Sequence, residues 1–134
     1  MKEKGSRNNK FVIDSFGWIE YFGGGKLLNK YTKYIENCSP DSHFTPSIII
    51  YEVYKRIRSS YEEEDAINAI MHIQNYTTII DLDTDFAIKG AEVSINEKLP
   101  MADALIQACA AKLGAMIITS DPHFKGMNNV IFIK

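Results

Sequence analysis

Five short apolar runs, each too brief to span more than one sheet layer, are separated along this chain by stretches whose apolar residues recur at helical spacing. The runs are "FVID" (11–14), "HFTP" (43–46), "TTIIDLD" (77–83), "AMIIT" (115–119) and "VIFI" (130–133). Between the first four stand pairs of helical segments. "SFGWIEYF" begins at Ser15 as a candidate N-cap and stops at Gly23-Gly24-Gly25, and residues 26–35 place Leu27, Leu28, Tyr31, Tyr34 and Ile35 on one face. Thr45 as N-cap and Pro46 at the first helical position open "SIIIYEVYKRIRSSY", and "EEEDAINAIMHIQ" carries its acids at the positive end of the helix dipole. "TDFAIKGAEVSI" runs to the break at Leu99-Pro100, and the helix after it is capped by Gly114. Strands joined through helices pair in parallel, because parallel neighbours need crossover connections. The sequence therefore predicts a three-layer α/β/α fold with a central, mainly parallel sheet of about five strands flanked by helices. The last strand follows a loop without a helix and is expected at an edge, its direction open.

Length and composition suit one globular domain. The 134 residues, 46% hydrophobic and 24% charged, can bury a core without disulfides, and no apolar run is long enough for a membrane span. Residues 1–10, "MKEKGSRNNK", lack a signal-peptide apolar segment and are expected to be a flexible tail before a domain at 11–134, which points to a cytoplasmic protein. Cys38 and Cys109 have no zinc-type spacing and suit packed, reduced thiols. The formal charge of −2 argues against a protein that coats nucleic acid. Setting four carboxylates aside around a cation leaves +2 on the rest of the chain, enough to attract phosphate locally.

Four acids stand where such a sheet would gather them. Asp14 and Asp121 follow the first and fourth strands, at the carboxyl edge where open parallel sheets bind ligands. Asp103 lies in the first turn of a helix that leads straight into the fourth strand. That helix runs antiparallel to the strand, so its N-terminus returns to the same edge. Glu52 is about 9 Å down a helix that starts there. Each acid also has an ordinary structural use: an N-cap at Asp14, a dipole partner at Asp103, an Asx turn before Pro122 at Asp121, a partner for Arg56 at Glu52. Four acids at one edge would nonetheless repel and raise one another's pKa values unless a cation held them. Oxygen ligands of this kind suit Mg²⁺ or Mn²⁺.

The pieces "VIDSFGWIEYF", "TPSIIIYEVYKRI" and "LPMADALIQACAAKLGAMIITSDPHF", in this order, resemble the PIN-domain ribonucleases, most of all the VapC toxins of prokaryotic toxin–antitoxin pairs, over Phe11 to Ile133. The resemblance implies that Asp14, Glu52, Asp103 and Asp121 are catalytic, metal-binding carboxylates supported by Ser15 and Thr119. It also implies metal-assisted hydrolysis of RNA, a homodimer and a small antitoxin partner. A housekeeping PIN nuclease is the alternative. On that footing Lys55, Arg56, Arg58 and Lys125 are candidates to steer an RNA backbone, and Trp18, Tyr21 and Phe22, core residues by default, could also grip an antitoxin segment.

Other patterns carry less. Asp81, Asp83, Asp85 and Glu92 fit EF-hand spacing, but Phe86 stands where a calcium loop needs glycine, so a strand end and helix cap account for them. A phosphoacceptor receiver domain would share the architecture and use Thr119. It would need an acid pair after the first strand and a Lys-Pro that this chain lacks. His123 is close to Asp121 and within reach of a phosphate, with packing beside Phe124 its expected role. His43 and His72 have no partner spacing.

Overall fold

The computed structural model describes residues 9–134, so most of the expected tail at 1–10 lies outside the described residues. Its strands are β1 (Phe11–Ile13), β2 (Phe44–Pro46), β3 (Thr78–Ile80), β4 (Met116–Thr119) and β5 (Val130–Phe132). The helices are α1 (Ser15–Gly23), α2 (Leu28–Ile35), α3 (Ser47–Ser60), α4 (Glu63–Tyr76), α5 (Thr84–Glu97) and α6 (Met101–Leu113), with one 3₁₀ turn at Pro122–Phe124.

β1, β4 and β5 form a parallel sheet in the order β1-β4-β5, and β2 pairs in parallel with β3. A parallel bridge from Phe11 to His43 joins the two groups, giving the spatial order β3-β2-β1-β4-β5. The chain moves outward from β1 to β3 and then crosses back to β4. Right-handed crossovers that reverse direction in this way put α1–α4 on one face and α5–α6 on the other, the three-layer α/β/α arrangement. β5 is parallel to its neighbour although no helix precedes it. The segment 120–129 suffices for the return because a strand of three or four residues is only about 10–13 Å long.

Burial follows the sequence periodicity. Val12, Ile13, Ile117 and Ile118 make the centre of the sheet, covered by Trp18, Tyr31, Ile49, Val53, Ile73, Ile106 and Phe124. α6 is buried along most of its length through Ala104, Leu105, Ile106, Ala108, Cys109 and Ala110, as a helix against a two-sided core must be. Cys38 and Cys109 are free thiols, both pushed up by burial, to about 12 and about 11. Trp18 is fully buried and stacks on Phe22 with centroids 6.0 Å apart. Gly114 ends α6 in the left-handed conformation at φ 68°, where a side chain would be strained.

Three local expectations shift. Ser15 does not cap α1; Asp14 does, its carboxylate accepting the Ser15 N–H. Thr45 does not cap α3 either. Pro46 pairs with Ile80 in β2 and α3 starts at Ser47, because the buried Thr45 hydroxyl is engaged with Thr77 at 2.7 Å. "TTIIDLD" yields strand only at Thr78–Ile80, since Asp83 is the N-cap of α5 and accepts the Phe86 N–H at 2.9 Å. That cap, and the Asp85–Lys89 pair at 3.5 Å, occupy two of the four calcium-like acids.

Gly17 shows how tightly α1 meets α2. A Cβ there would lie 2.7 Å from the Tyr31 ring and 2.8 Å from the Ile13 side chain. Helix propensity favours alanine by about 1 kcal/mol, and overpacking a filled core costs about 1–3 kcal/mol. Gly17→Ala is therefore expected to lower the urea midpoint, and a variant as stable as the wild type would show that α2 yields freely.

Candidate active site

The order of strands reverses between β1 and β4, and their carboxyl ends open a cleft of about 380 Å³. Asp14, Glu52, Asp103 and Asp121 all line it, with Ser15, Phe16, Tyr51, Lys55 and Arg56 among the other walls. The cleft thus brings together all four acids singled out in the sequence. It draws them from the end of β1, the second turn of α3, the first turn of α6 and the loop after β4.

Asp14 is fixed most firmly. It is 1% exposed, and one carboxylate oxygen accepts the Ser15 N–H at 2.6 Å and the Ser15 hydroxyl at 3.4 Å. The other accepts the Thr119 hydroxyl at 2.7 Å across 105 positions of sequence. Thr119 is fully buried, and its oxygen in turn accepts the Asp121 N–H at 2.9 Å. One hydroxyl therefore ties the first acid to the fourth. Next to it, Tyr31 donates to the Ser120 hydroxyl at 2.8 Å, and burial pushes its phenol up to about 12.

The carboxylates are costly to ionise together. Burial raises Asp14 to about 6, with Glu52 and Asp121 adding to the rise and the Thr119 and Ser15 hydrogen bonds opposing it. Burial also raises Glu52, opposed by Ser15 and reinforced by Asp121. Asp103 is raised to about 7 by burial first, then by the charge and hydrogen bonding of Asp121 and the charge of Asp14, with His123 acting the other way. Desolvation plus like charge is the signature of carboxylates assembled for a role other than packing. A divalent cation fits this donor set, since hard oxygen ligands would exchange mutual repulsion for attraction to it.

The basic candidates separate. Lys55 and Arg56 stand on the cleft wall. Arg58 faces a neighbouring apolar groove of about 690 Å³ between α3 and α4, whose lining shares Tyr51, Lys55 and Ser59 with the cleft. Lys125 lies over the Phe132 ring, 5.5 Å from its centroid, and is not part of the cleft lining.

Two residues carry more than the sequence reading gives them. Tyr51, 58% exposed beside Glu52, had no signal beyond its helical position. His123 was expected to pack beside Phe124, but its Nδ1 lies 2.8 Å from Asp121 Oδ1 and 3.1 Å from Asp103 Oδ2, while Phe124 is buried in the core. Asp-Pro-His is a readable signal: an Asp that caps a turn with proline at its first position accepts the N–H two residues on, which brings the two side chains together.

An open parallel α/β sheet with a carboxylate cleft at its switch point defines the class. The PIN domain family model matches residues 11–129, and the chain belongs to that family. No curated protein sequence matches it. Among solved structures, VapC20 of Mycobacterium tuberculosis, described as a toxin that cleaves the sarcin-ricin loop, is 13% identical with a TM-score of 0.77, covering 93% of this chain and all (100%) of its own. A chain of a toxin–antitoxin complex from Klebsiella pneumoniae is 22% identical with a TM-score of 0.74 over 91% of this chain and 96% of that one. One from VapBC-1 of nontypeable Haemophilus influenzae is 16% identical with a TM-score of 0.66 over 91% and 95%. The likeness to these structures is one of fold. No helix of the described residues is long and apolar enough to cross a membrane.

The raised carboxylates set a sign for stability. Unfolded aspartates titrate near 3.8, whereas Asp14 and Asp103 hold their protons up to about 6 and about 7. Their contribution is therefore favourable below about pH 4 and is lost as pH rises through 6 and 7. In EDTA the melting temperature is expected to fall between pH 5 and 7.5. Asp103→Asn is expected to flatten that fall and to melt at or above the wild type at pH 7.5. A wild-type melting temperature that rises over this window would contradict the assignment.

Proposed function

We propose that the protein is a metal-dependent endoribonuclease and the toxin of a toxin–antitoxin pair, acting in the cytoplasm. The observation that carries this is the convergence of Asp14, Glu52, Asp103 and Asp121 from four separate elements on one cleft, three of them with raised pKa values. Membership of the PIN family and a fold shared with VapC20 and the VapBC chains support the same reading.

Asp14, Glu52, Asp103 and Asp121 would hold Mg²⁺ or Mn²⁺. When bound, such an ion activates water for attack on phosphorus and stabilises charge on the phosphoryl and leaving oxygens. The chain supplies the rest. Asp14 is held in one orientation by Ser15 and Thr119, so its carboxylate needs no reorganisation when substrate arrives. Asp121 is oriented by its turn, accepting the His123 N–H at 2.9 Å. Lys55 and Arg56 on the cleft wall attract the RNA phosphates and orient the scissile one over the acids. Ser15 and Thr119 support the carboxylates without touching the reacting atoms.

Arg58 belongs to the groove beside the cleft and suits flanking contacts. A small antitoxin that covers the acids and a homodimer complete the proposed assembly; Tyr21 and Phe22, half-buried on α1, pack against His72 away from the cleft.

RNA cleavage is expected with Mg²⁺ or Mn²⁺ and to vanish in EDTA. Asp103→Asn should reduce cleavage by 100-fold or more, on the order of 3 kcal/mol of transition-state stabilisation, while the protein stays folded by circular dichroism. Cleavage that survives thorough chelation, or a fully active Asp103→Asn protein, would refute the assignment.

A further inference from the structure

The mouth of the acidic cleft holds a nitrogen donor as well as oxygens. Asp121 caps the 3₁₀ turn with Pro122 at its first position, and its Oδ1 accepts the backbone N–H of His123. This turn holds the imidazole and the carboxylate on the same side. The Nδ1 atom then stands 2.8 Å from Asp121 Oδ1 and 3.1 Å from Asp103 Oδ2. One atom from each of the three residues lies within 4.8 Å of the others. Neighbouring ligands of an octahedral ion with bonds of about 2.1 Å are about 3.0 Å apart, so both nitrogen–oxygen separations match an edge of such a shell. A pair of carboxylates and one imidazole is also a different donor set from four carboxylates. Mg²⁺ takes oxygen ligands and dehydrates reluctantly, whereas imidazole favours first-row transition ions.

Resting on the metal-dependent reading above, we infer that His123 is a ligand, through Nδ1, to the divalent ion held by Asp103 and Asp121, and that it tunes the site toward a first-row transition ion over Mg²⁺. The side chain is 56% exposed, so the ring reaches an ion without unpacking the core. Its backbone bond to Asp121 survives any substitution of the ring. Glu52 and Asp14 line the same cleft from the α3 and β1 sides. Among the described histidines, cysteines and acids, His123 is the one that joins Asp103 and Asp121 within ligand distance.

Mn²⁺ serves as the probe, added to untagged, metal-stripped protein, since a polyhistidine tag would bind it independently. Calorimetric titration gives the affinity, and electron spin-echo envelope modulation of the bound Mn²⁺ detects a directly coordinated nitrogen. Nitrogen modulation is expected in the wild type and is expected to disappear in His123→Gln. That variant should bind Mn²⁺ at least about tenfold more weakly, with a much smaller change for Mg²⁺. Bound Mn²⁺ without nitrogen modulation in the wild type, or modulation that persists unchanged in His123→Gln, would overturn the inference. His123 would then be only a counter-charge that the ion displaces, and the carboxylate site would stand. Failure of the wild type to bind Mn²⁺ at all would overturn both the inference and the metal-dependent reading. The spectrum of the wild type decides the coordination even where the variant folds poorly.

Discussion

Everything in the cleft hangs on the register of β1 against β4. Ile13 lies opposite Ile118, the Asp14 N–H donates to the Ile118 carbonyl at 3.0 Å, and Asp14 and Thr119 therefore leave the sheet side by side. A slip of one residue would part Asp14 from Thr119 and draw a carboxylate in between the helical layers, where Val12, Ile13, Ile117 and Ile118 are now buried. The hydrophobic pattern thus enforces the register. The register in turn places a hydroxyl where it bonds Asp14 Oδ2 and the Asp121 N–H at once. Packing of apolar side chains is what aligns the polar ones.

That alignment costs stability. Asp14 and Asp103 sit desolvated and near like charges, each raised well above the ordinary carboxylate range. Natural proteins sustain such sites by over-determining the surroundings. Here those surroundings are β1, β4 and α6, whose apolar residues are shared between the main core and a second cluster around Phe86 and Leu105. The hydrogen bonds to Asp14 stabilise its charged form but do not cancel burial. His123 opposes the rise at Asp103 electrostatically, from the open side. The cleft is therefore a place where opposite charge from outside, in the form of a cation, does what the protein does only in part.

Much of this was legible in the residues. The alternation of short β-branched runs with helical pairs implied the parallel sheet, and the rule that ligands lie beyond the carboxyl ends of strands singled out Asp14 and Asp121. Asp103 followed from the antiparallel run of a helix entering its strand, and Glu52 from its distance along α3. Less legible were the features that depend on direction rather than order. Thr45 reads as a cap because Thr and Pro favour that arrangement locally, yet its hydroxyl finds Thr77 across the sheet. Lys125 reads as part of a basic rim, yet its chain turns back over Phe132. His123 reads as loop packing, yet the turn at Pro122 aims it at two carboxylates.

The sequence by itself determined the class of fold, the order of elements and the edge at which four acids would meet, because hydrophobic periodicity and the handedness of crossovers are local or topological constraints. Only the tertiary structure decided which groups touch. It chose Asp14 over Ser15 as the cap, made β5 parallel, brought one threonine hydroxyl between two acids and turned His123 toward the cleft. Those outcomes depend on distances of about 3 Å between residues up to 105 positions apart. Such distances are set by the packing of whole layers, and no propensity of a single segment encodes them.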